Sequence, residues 1–364
     1  MDKVAIFLSS LDGGGAERVM LNLAYGFQKN GIEVDLILVK AEGSYLSQIP
    51  ENIKVINLHK KRLPLSLPTL IEYLKKERPV ALFSALEDTN IVALMAKLLS
   101  GVSTQLIVTV HNTLSQESRN ATNLKRKVIP YLVPWIYPSA DVVVAVSQGV
   151  AEDLIELGLR SRNLKVIYNP IVTPQMQEKM RQPVEHSWFA PGEPPVILGV
   201  GRLTKQKDFS TLIQAFAKVR QQRPVKLMIL GEGEEHLQLE TLAEKLGVAE
   251  EITFPGFVDN PYAYMARAAV LVLSSAWEGF GNVLVESMLA GTPVVSTNCE
   301  SGPSEILADG EYGKLVTVGD SEAMATAIAQ TLEEFCDSEL LQKRSLDFSL
   351  EKAVFEYQQL FSVD

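Results

Sequence analysis

Short apolar runs recur along the chain, each followed by small or polar residues and then, in many cases, by a stretch with apolar positions every three or four residues. In the first half the runs fall at residues 4–8, 33–40, 53–59, 80–86, 105–110, 141–146 and 165–168. Continuous apolar runs of this length are the pattern of strands buried on both faces. Helices are predicted between them over 16–27, where Val19, Leu23 and Phe27 share a face, and over 68–76, 90–99 and 148–157. Such alternation predicts a parallel sheet covered by helices on both sides. Residues 169–195 are rich in Pro, Gln and Glu without a period and read as a linker with irregular structure. A second set of strands follows at 196–201, 225–230, 252–254, 270–273, 294–297 and 312–316, with helices at 321–335 and 351–361. The fold class is therefore α/β, with two units of alternating strand and helix.

The richest stretch is Trp277 to Pro293, WEGFGNVLVESMLAGTP, directly after the run 270–273. It gives strand, loop, helix and stop. Glu278, Gly279 and Gly281 lie in the loop, Asn282 is placed to cap the helix, Glu286 falls about one turn inside it, and Gly291-Thr292-Pro293 ends it. A helix N-terminus with free N–H groups favours an anion such as a diphosphate. Carboxylates in that place call for a different partner. Glu286 suits ribose hydroxyls, and Glu278 suits positive charge on a sugar ring. Two solvated acids in a glycine loop would have the same spacing.

Other chemistry-bearing residues gather at strand ends, where open α/β sheets bind ligands. Gly13-Gly14-Gly15 follows the first strand and suits either a ligand-cradling loop or a tight turn. Glu87, Asp88 and His111 follow later strands, with a structural His equally open at 111. Arg202 and Lys207 follow the strand 196–201 and suit phosphate clamps, as they also suit two solvated charges. Gly231-Glu232-Gly233 gives a close-approach loop, Pro255-Gly256-Phe257 a slot for a flat base, and residues 299–306 a further anion or sugar-hydroxyl site. Residues 115–138 join Arg119, Lys125, Arg126 and Lys127 to an aromatic-rich apolar segment. That combination suits a membrane surface, as it also suits a buried helix with a solvated basic end. Pro130 and Pro134 are expected to disturb a clean helix there.

Length and charge narrow the picture. With 364 residues, two domains of about 150–180 residues are expected. The net charge of −10 argues against a nucleic-acid partner. Residues 1–170 carry 19 Lys and Arg against 16 Asp and Glu, whereas 171–364 carry 15 against 28, so a basic-leaning half precedes an acidic one. The two cysteines, Cys299 and Cys336, give neither a disulfide framework nor zinc spacing. The first residues do not read as a signal peptide, and no apolar run is long enough to span a bilayer, so a cytoplasmic protein is expected.

Glu278-x7-Glu286 with GFGN between resembles the signature of the retaining glycosyltransferases of family 4. The resemblance runs along nearly the whole chain, through Gly13–Gly15, His111, GRLTKQKD from Gly201, Gly231-Glu232-Gly233, Pro255-Gly256 and Gly302-Pro303-Ser304-Glu305. It implies the GT-B fold, two Rossmann-like domains facing across a cleft. An acceptor domain would span 1–169 and a nucleotide-sugar domain 170–349, with a terminal helix over 350–364 crossing back. It further implies that Arg202 and Lys207 bind the donor diphosphate, Glu286 the ribose, and Glu278 with the backbone of Phe280, Gly281, Asn282 and Val283 the sugar and diphosphate. Gly231, Glu232, Gly256 and Phe257 would complete the donor site. His111 would touch the transferred sugar, and Gly14 and Gly15 would near the diphosphate on closure. Glu87, Asp88, Arg119, Lys125, Arg126 and Lys127 would serve the acceptor or the membrane. No cofactor or metal is expected, and the chain has no Asp-x-Asp. The expected donor is a UDP-sugar. The expected acceptor is a glycan or polyprenyl-diphosphate-linked glycan, as in lipid-linked oligosaccharide, O-antigen or capsule assembly, at the inner membrane face. A 2-epimerase, a glucan phosphorylase (whose pyridoxal-phosphate lysine site is not found) and a non-catalytic partner subunit are the rival readings.

Overall fold

The computed structural model describes residues 3–121, 123–160 and 162–361. The chain forms two compact units, Met1–Ile171 with Phe348–Asp364, and Val172–Asp347. The first contains β1 (Lys3–Leu8), α1 (Gly15–Lys29), β2 (Glu33–Leu38), β3 (Lys54–Asn57), α2 (Leu67–Glu77), β4 (Ala81–Ala85), α3 (Glu87–Ser100), β5 (Gln105–Val110), α4 (Leu114–Asn120), α5 (Leu124–Ile136), β6 (Val142–Ala145), α6 (Gln148–Glu156) and β7 (Leu164–Val166). Its sheet has the order β3-β2-β1-β4-β5-β6-β7, and every pair is parallel. The second contains α7 (Pro174–Arg181), β8 (Val196–Val200), α8 (Phe209–Gln222), β9 (Lys226–Leu230), α9 (His236–Leu246), β10 (Ile252–Gly256), α10 (Pro261–Met265), β11 (Val270–Leu273), α11 (Asn282–Leu289), β12 (Val294–Thr297), α12 (Pro303–Ile306), β13 (Lys314–Val316), α13 (Ser321–Thr331) and α14 (Ser338–Ser345). Its sheet has the parallel order β10-β9-β8-β11-β12-β13. A last helix, α15 (Leu350–Gln358), belongs to the first unit.

In each sheet the strand order reverses once, between β1 and β4 and between β8 and β11. The loops leaving these strands diverge to opposite faces and leave a crevice beyond their carboxyl ends. The Gly13–Gly15 loop and Glu87 flank the first crevice, and the loops holding Lys207 and Glu278 flank the second.

Several local expectations are corrected. The 169–195 stretch contains α7, which starts at Pro174 after Thr173 and buries Met176 and Met180. Proline at a first helical position has no N–H to lose, so it starts a helix here. Asn282 is not the cap of α11. Gly281 holds that place at φ 99°, a backbone state without steric cost only for glycine. Pro130 and Pro134 lie inside α5 without ending it. The helix runs on past both while Ile129 and Val133 are buried. Here packing outweighs the two missing donors. Glu87 and Asp88 follow the end of β4 as expected, and they are also the first two residues of α3.

In the first unit, α15 packs on α1. Phe27, Phe83, Tyr357 and Phe361 form a ring cluster with centroids 5.2–6.0 Å apart. A Cβ on Gly26 would lie 2.4 Å from Val354 Cγ2, so glycine is what lets the helices approach.

Candidate active site

In the second unit the loop after β8 is tied to the loop after β11. Ser274 Oγ donates to Lys207 O (2.7 Å), Ala276 N to Gln206 O (2.8 Å) and Gln206 Nε2 to Trp277 O (3.0 Å). These bonds bring Lys207 Nζ to 2.5 Å from Glu278 Oε1, which also accepts from Ser275 Oγ at 2.6 Å. Glu278 is buried, and Lys207 is mostly so. The sequence offers Glu278 as a group facing the sugar, and the structure adds that it fixes the lysine. Arg202 is exposed at the mouth of β8, with no ion pair among the described residues.

Glycines bring backbone to this mouth. A Cβ on Gly231 would sit 2.0 Å from Gly201 O, and one on Gly302 would sit 1.8 Å from Phe280 O. The loop after β12 is thus pressed onto the 278–281 loop. Phe280 is buried, so its backbone and the start of α11 are what the loop presents. Glu286 is half-buried in α11, and Glu232 and Phe257 stand exposed after β9 and β10. The helix after residue 302 is a single turn, and Arg344 donates to its carbonyls at Glu305 (2.6 Å) and Ile306 (3.0 Å). Burial first, and the nearby Glu278 next, push the Cys299 thiol up to about 12, so it stays an unreactive thiol.

In the first unit, Gly14 is the N-cap of α1, and its N–H donates to the Glu17 carboxylate. Tyr45 Oη donates to Gly13 O at 3.0 Å. An internal carboxylate thus already caps this helix start. His111 follows β5. Its Nε2 lies 2.8 Å from Thr109 Oγ1, and that hydroxyl donates to Ser84 O at 2.9 Å. The Thr109 hydroxyl thus lies between the imidazole and the Ser84 carbonyl and holds the ring in place. Burial lowers the His111 pKa to about 4, so the imidazole is neutral. Behind it Asn90 accepts from Ser84 Oγ (2.7 Å) and donates to Thr109 O and Tyr137 Oη (3.0 Å each). No sequence motif marks Asn90 or Thr109 as support for His111.

Glu87 and Asp88 reach the same mouth from α3. Arg126 pairs with Glu117 at 3.7 Å, Lys127 and Arg119 are exposed, and the side chain of Lys125 lies outside the described residues. Among the described residues no helix is long and apolar enough to cross a membrane.

Two parallel Rossmann-like sheets, the second carrying a cation, a buried Lys–Glu pair and glycine loops at its switch point, have the architecture of the GT-B class. The model of Glycosyltransferase Family 4 matches residues 13–174, and that of the glycosyl transferases group 1 matches 181–344. The N-acetylgalactosamine-N,N'-diacetylbacillosaminyl-diphospho-undecaprenol 4-alpha-N-acetylgalactosaminyltransferase of Campylobacter jejuni is 34% identical over 345 residues, 92% of this chain and 91% of that protein. The lipopolysaccharide core biosynthesis glycosyltransferase LpsE of Rhizobium meliloti is 30% identical over 88% of this chain and 86% of its own. The solved structure of Anabaena HepE in complex with UDP-glucose shares the fold, with a TM-score of 0.74 at 23% identity over 100% of this chain and 96% of that one. The chain belongs to glycosyltransferase family 4.

Proposed function

We propose that this glycosyltransferase moves a hexosyl or N-acetylhexosaminyl unit from a UDP-sugar to a polyprenyl-diphosphate-linked glycan, with retention and without a metal. The observation that carries the donor side is the Lys207–Glu278 pair at 2.5 Å, with Arg202 exposed in the same loop after β8. As the sugar departs, negative charge grows on the leaving phosphate. Arg202, Lys207 and the N–H groups at the start of α11 are the donors assigned to that charge. Each such preorganised contact contributes roughly 2–4 kcal/mol at a transition state. Glu286 is assigned to the ribose, and Gly256 and Phe257 to the base. The leaving phosphate itself takes the acceptor proton during front-face attack.

The acceptor class rests on the names of the relatives, one acting on a diphospho-undecaprenol glycan and one in lipopolysaccharide core synthesis. The surface of α5 supports it. Leu124, Tyr131 and Trp135 are 74%, 67% and 83% exposed, and with Val128 and Leu132 they form one stripe opposite the buried Ile129 and Val133. Lys127 borders that stripe. An exposed apolar, aromatic face beside cations suits the headgroup region of an anionic bilayer.

The test is transfer from UDP-N-acetylgalactosamine, UDP-N-acetylglucosamine, UDP-glucose and UDP-galactose to undecaprenyl-diphosphate-linked N-acetylhexosamine acceptors in EDTA. NMR of the product reads the anomer. Transfer giving an α-linkage from these α-linked donors supports the proposal. A β-linked product, dependence on added divalent metal, or a covalent sugar adduct on Glu278 overturns the corresponding part.

A further inference from the structure

Between Lys207 and the helix α8 stands one residue, Asp208, at φ 41° and ψ 50°. This is the left-handed region, which costs free energy for any residue with a Cβ, less for Asp and Asn than for others. Such a state persists where the surroundings on both sides demand it. On one side, Lys207 O accepts from Ser274 Oγ at 2.7 Å and Lys207 N donates to Thr204 O at 3.0 Å. The backbone of Lys207 is therefore fixed against the loop after β11. On the other side, Phe209 is buried against β8, where a Cβ added to Gly199 would lie 3.0 Å from its ring. A single residue turns the chain from the site into the core.

The Asp208 carboxylate holds that turn. It accepts from Thr211 N at 3.3 Å and from Thr211 Oγ1 at 2.6 Å, and Thr211 is buried. The stem of Lys207 runs beside Gly201, where an added Cβ would meet its Cγ, Cδ and Cε at 3.2–3.3 Å. From there Nζ reaches Glu278 at 2.5 Å. A rotation at residue 208 tilts the Lys207 peptide, and the ammonium at the end of its four-carbon stem moves further than the backbone does.

We infer that Asp208 is a positioning residue of the transfer reaction: its left-handed backbone, pinned by Thr211, aims the Lys207 ammonium at the donor diphosphate. This rests on the reading that Lys207 binds that diphosphate, and it assigns Asp208 no contact with substrate. The same bonds cap α8, and the two roles part in what they affect. A lost cap weakens the fold. A displaced ammonium weakens a ligand that carries phosphate and spares one that does not.

The experiment measures UDP affinity by calorimetry, uridine affinity by displacement of UDP, and the melting temperature. The proteins are the wild type, Lys207→Ala, Asp208→Asn, Asp208→Gly, Asp208→Ser and Asp208→Ala. Asp208→Ser keeps a capping oxygen on a residue that disfavours this backbone state, whereas Asp208→Gly adopts the state freely and has no side chain to cap with. Expected is a UDP affinity about tenfold lower in Asp208→Ala and Asp208→Ser, with uridine within about a factor of two of the wild type. Asp208→Asn and Asp208→Gly should bind UDP within about threefold of the wild type. A UDP-to-uridine ratio unchanged in Asp208→Ala and Asp208→Ser, while Lys207→Ala lowers it, overturns this inference alone. Equal losses of UDP and uridine in those two variants also overturn it, by marking a structural role. So does a UDP loss in Asp208→Gly as large as in Asp208→Ala, since the backbone state is then not the cause. A ratio unchanged in Lys207→Ala overturns the donor assignment and this inference together.

Discussion

Lys207 and Glu278 are 71 residues apart in sequence, and each is an ordinary charged residue by itself. What makes them a site is that one carboxylate oxygen accepts from the ammonium and from Ser275, out of water. An ion pair shielded in this way is geometrically fixed, so the cation is held in one place. Lys207→Ala and Arg202→Ala are each expected to weaken UDP-sugar binding by at least about tenfold in calorimetry, the loss of one charge-assisted contact. Binding within a factor of two of the wild type would remove these residues from the donor site. His111 makes a prediction about acid. Its folded pKa is lowered below 6.5, so the folded state favours the neutral ring. The stability this reflects is fully present above pH 6.5 and is lost as the pH falls toward about 4. It amounts to about 3 kcal/mol at most. Thermal unfolding at pH 7.5 and 4.5 should show a smaller acid loss for His111→Gln than for the wild type. An equal loss would show that other groups set the acid sensitivity.

Among the elements, α5 is unusual in being apolar on two sides. Ile129 and Val133 face the domain, while Leu124, Val128, Tyr131, Leu132 and Trp135 face outward. Replacing Tyr131 and Trp135 together by Glu is expected to abolish sedimentation with vesicles containing anionic lipid, leaving UDP binding intact. Changing Lys125, Arg126 and Lys127 to Glu should weaken the same binding in a salt-dependent way. Vesicle binding unaltered by both variants would leave α5 without a membrane role. The loop after β12 makes a second prediction. Gly302 is at φ 90°, and a Cβ there would overlap Phe280 O. Gly302→Ala must push the 278–281 loop, so donor affinity should fall and the melting temperature with it. A variant with wild-type affinity would mean that this contact gives way without moving the loop. The sequence marks that glycine only as part of a motif, because the clash comes from the backbone of a different loop, the one that follows β11.

For the whole molecule, α15 closes the first unit on the core of α1 and β4, where Tyr357 and Phe361 meet Phe27 and Phe83. Tyr357→Ala should cost about 3–5 kcal/mol, as for other large aromatic cores, and unfold the first unit ahead of the second in calorimetry. Simultaneous unfolding at the wild-type temperature would contradict it. The strands are legible throughout, since parallel strands buried on both faces leave unbroken apolar runs such as Val4 to Leu8 and Val270 to Leu273. The helices are less so. The linker reading of 169–195 misses α7 because only Met176 and Met180 face inward, although Thr173-Pro174 is a start signal. In α9 only Leu239 and Ala243 are buried, too few for a period to show. The α/β class, the glycine loops and the placing of Arg202, Lys207, Glu278 and His111 after strand ends were set by sequence, because apolar pattern and strand-end position are local properties. The Lys207–Glu278 pairing, the Thr109 bond that holds the His111 ring, the unpartnered oxygen of Glu87 and the outward apolar face of α5 were decided only by tertiary structure. Each depends on which residues, distant along the chain, share a strand end or a helix face, and on how much water is left between them.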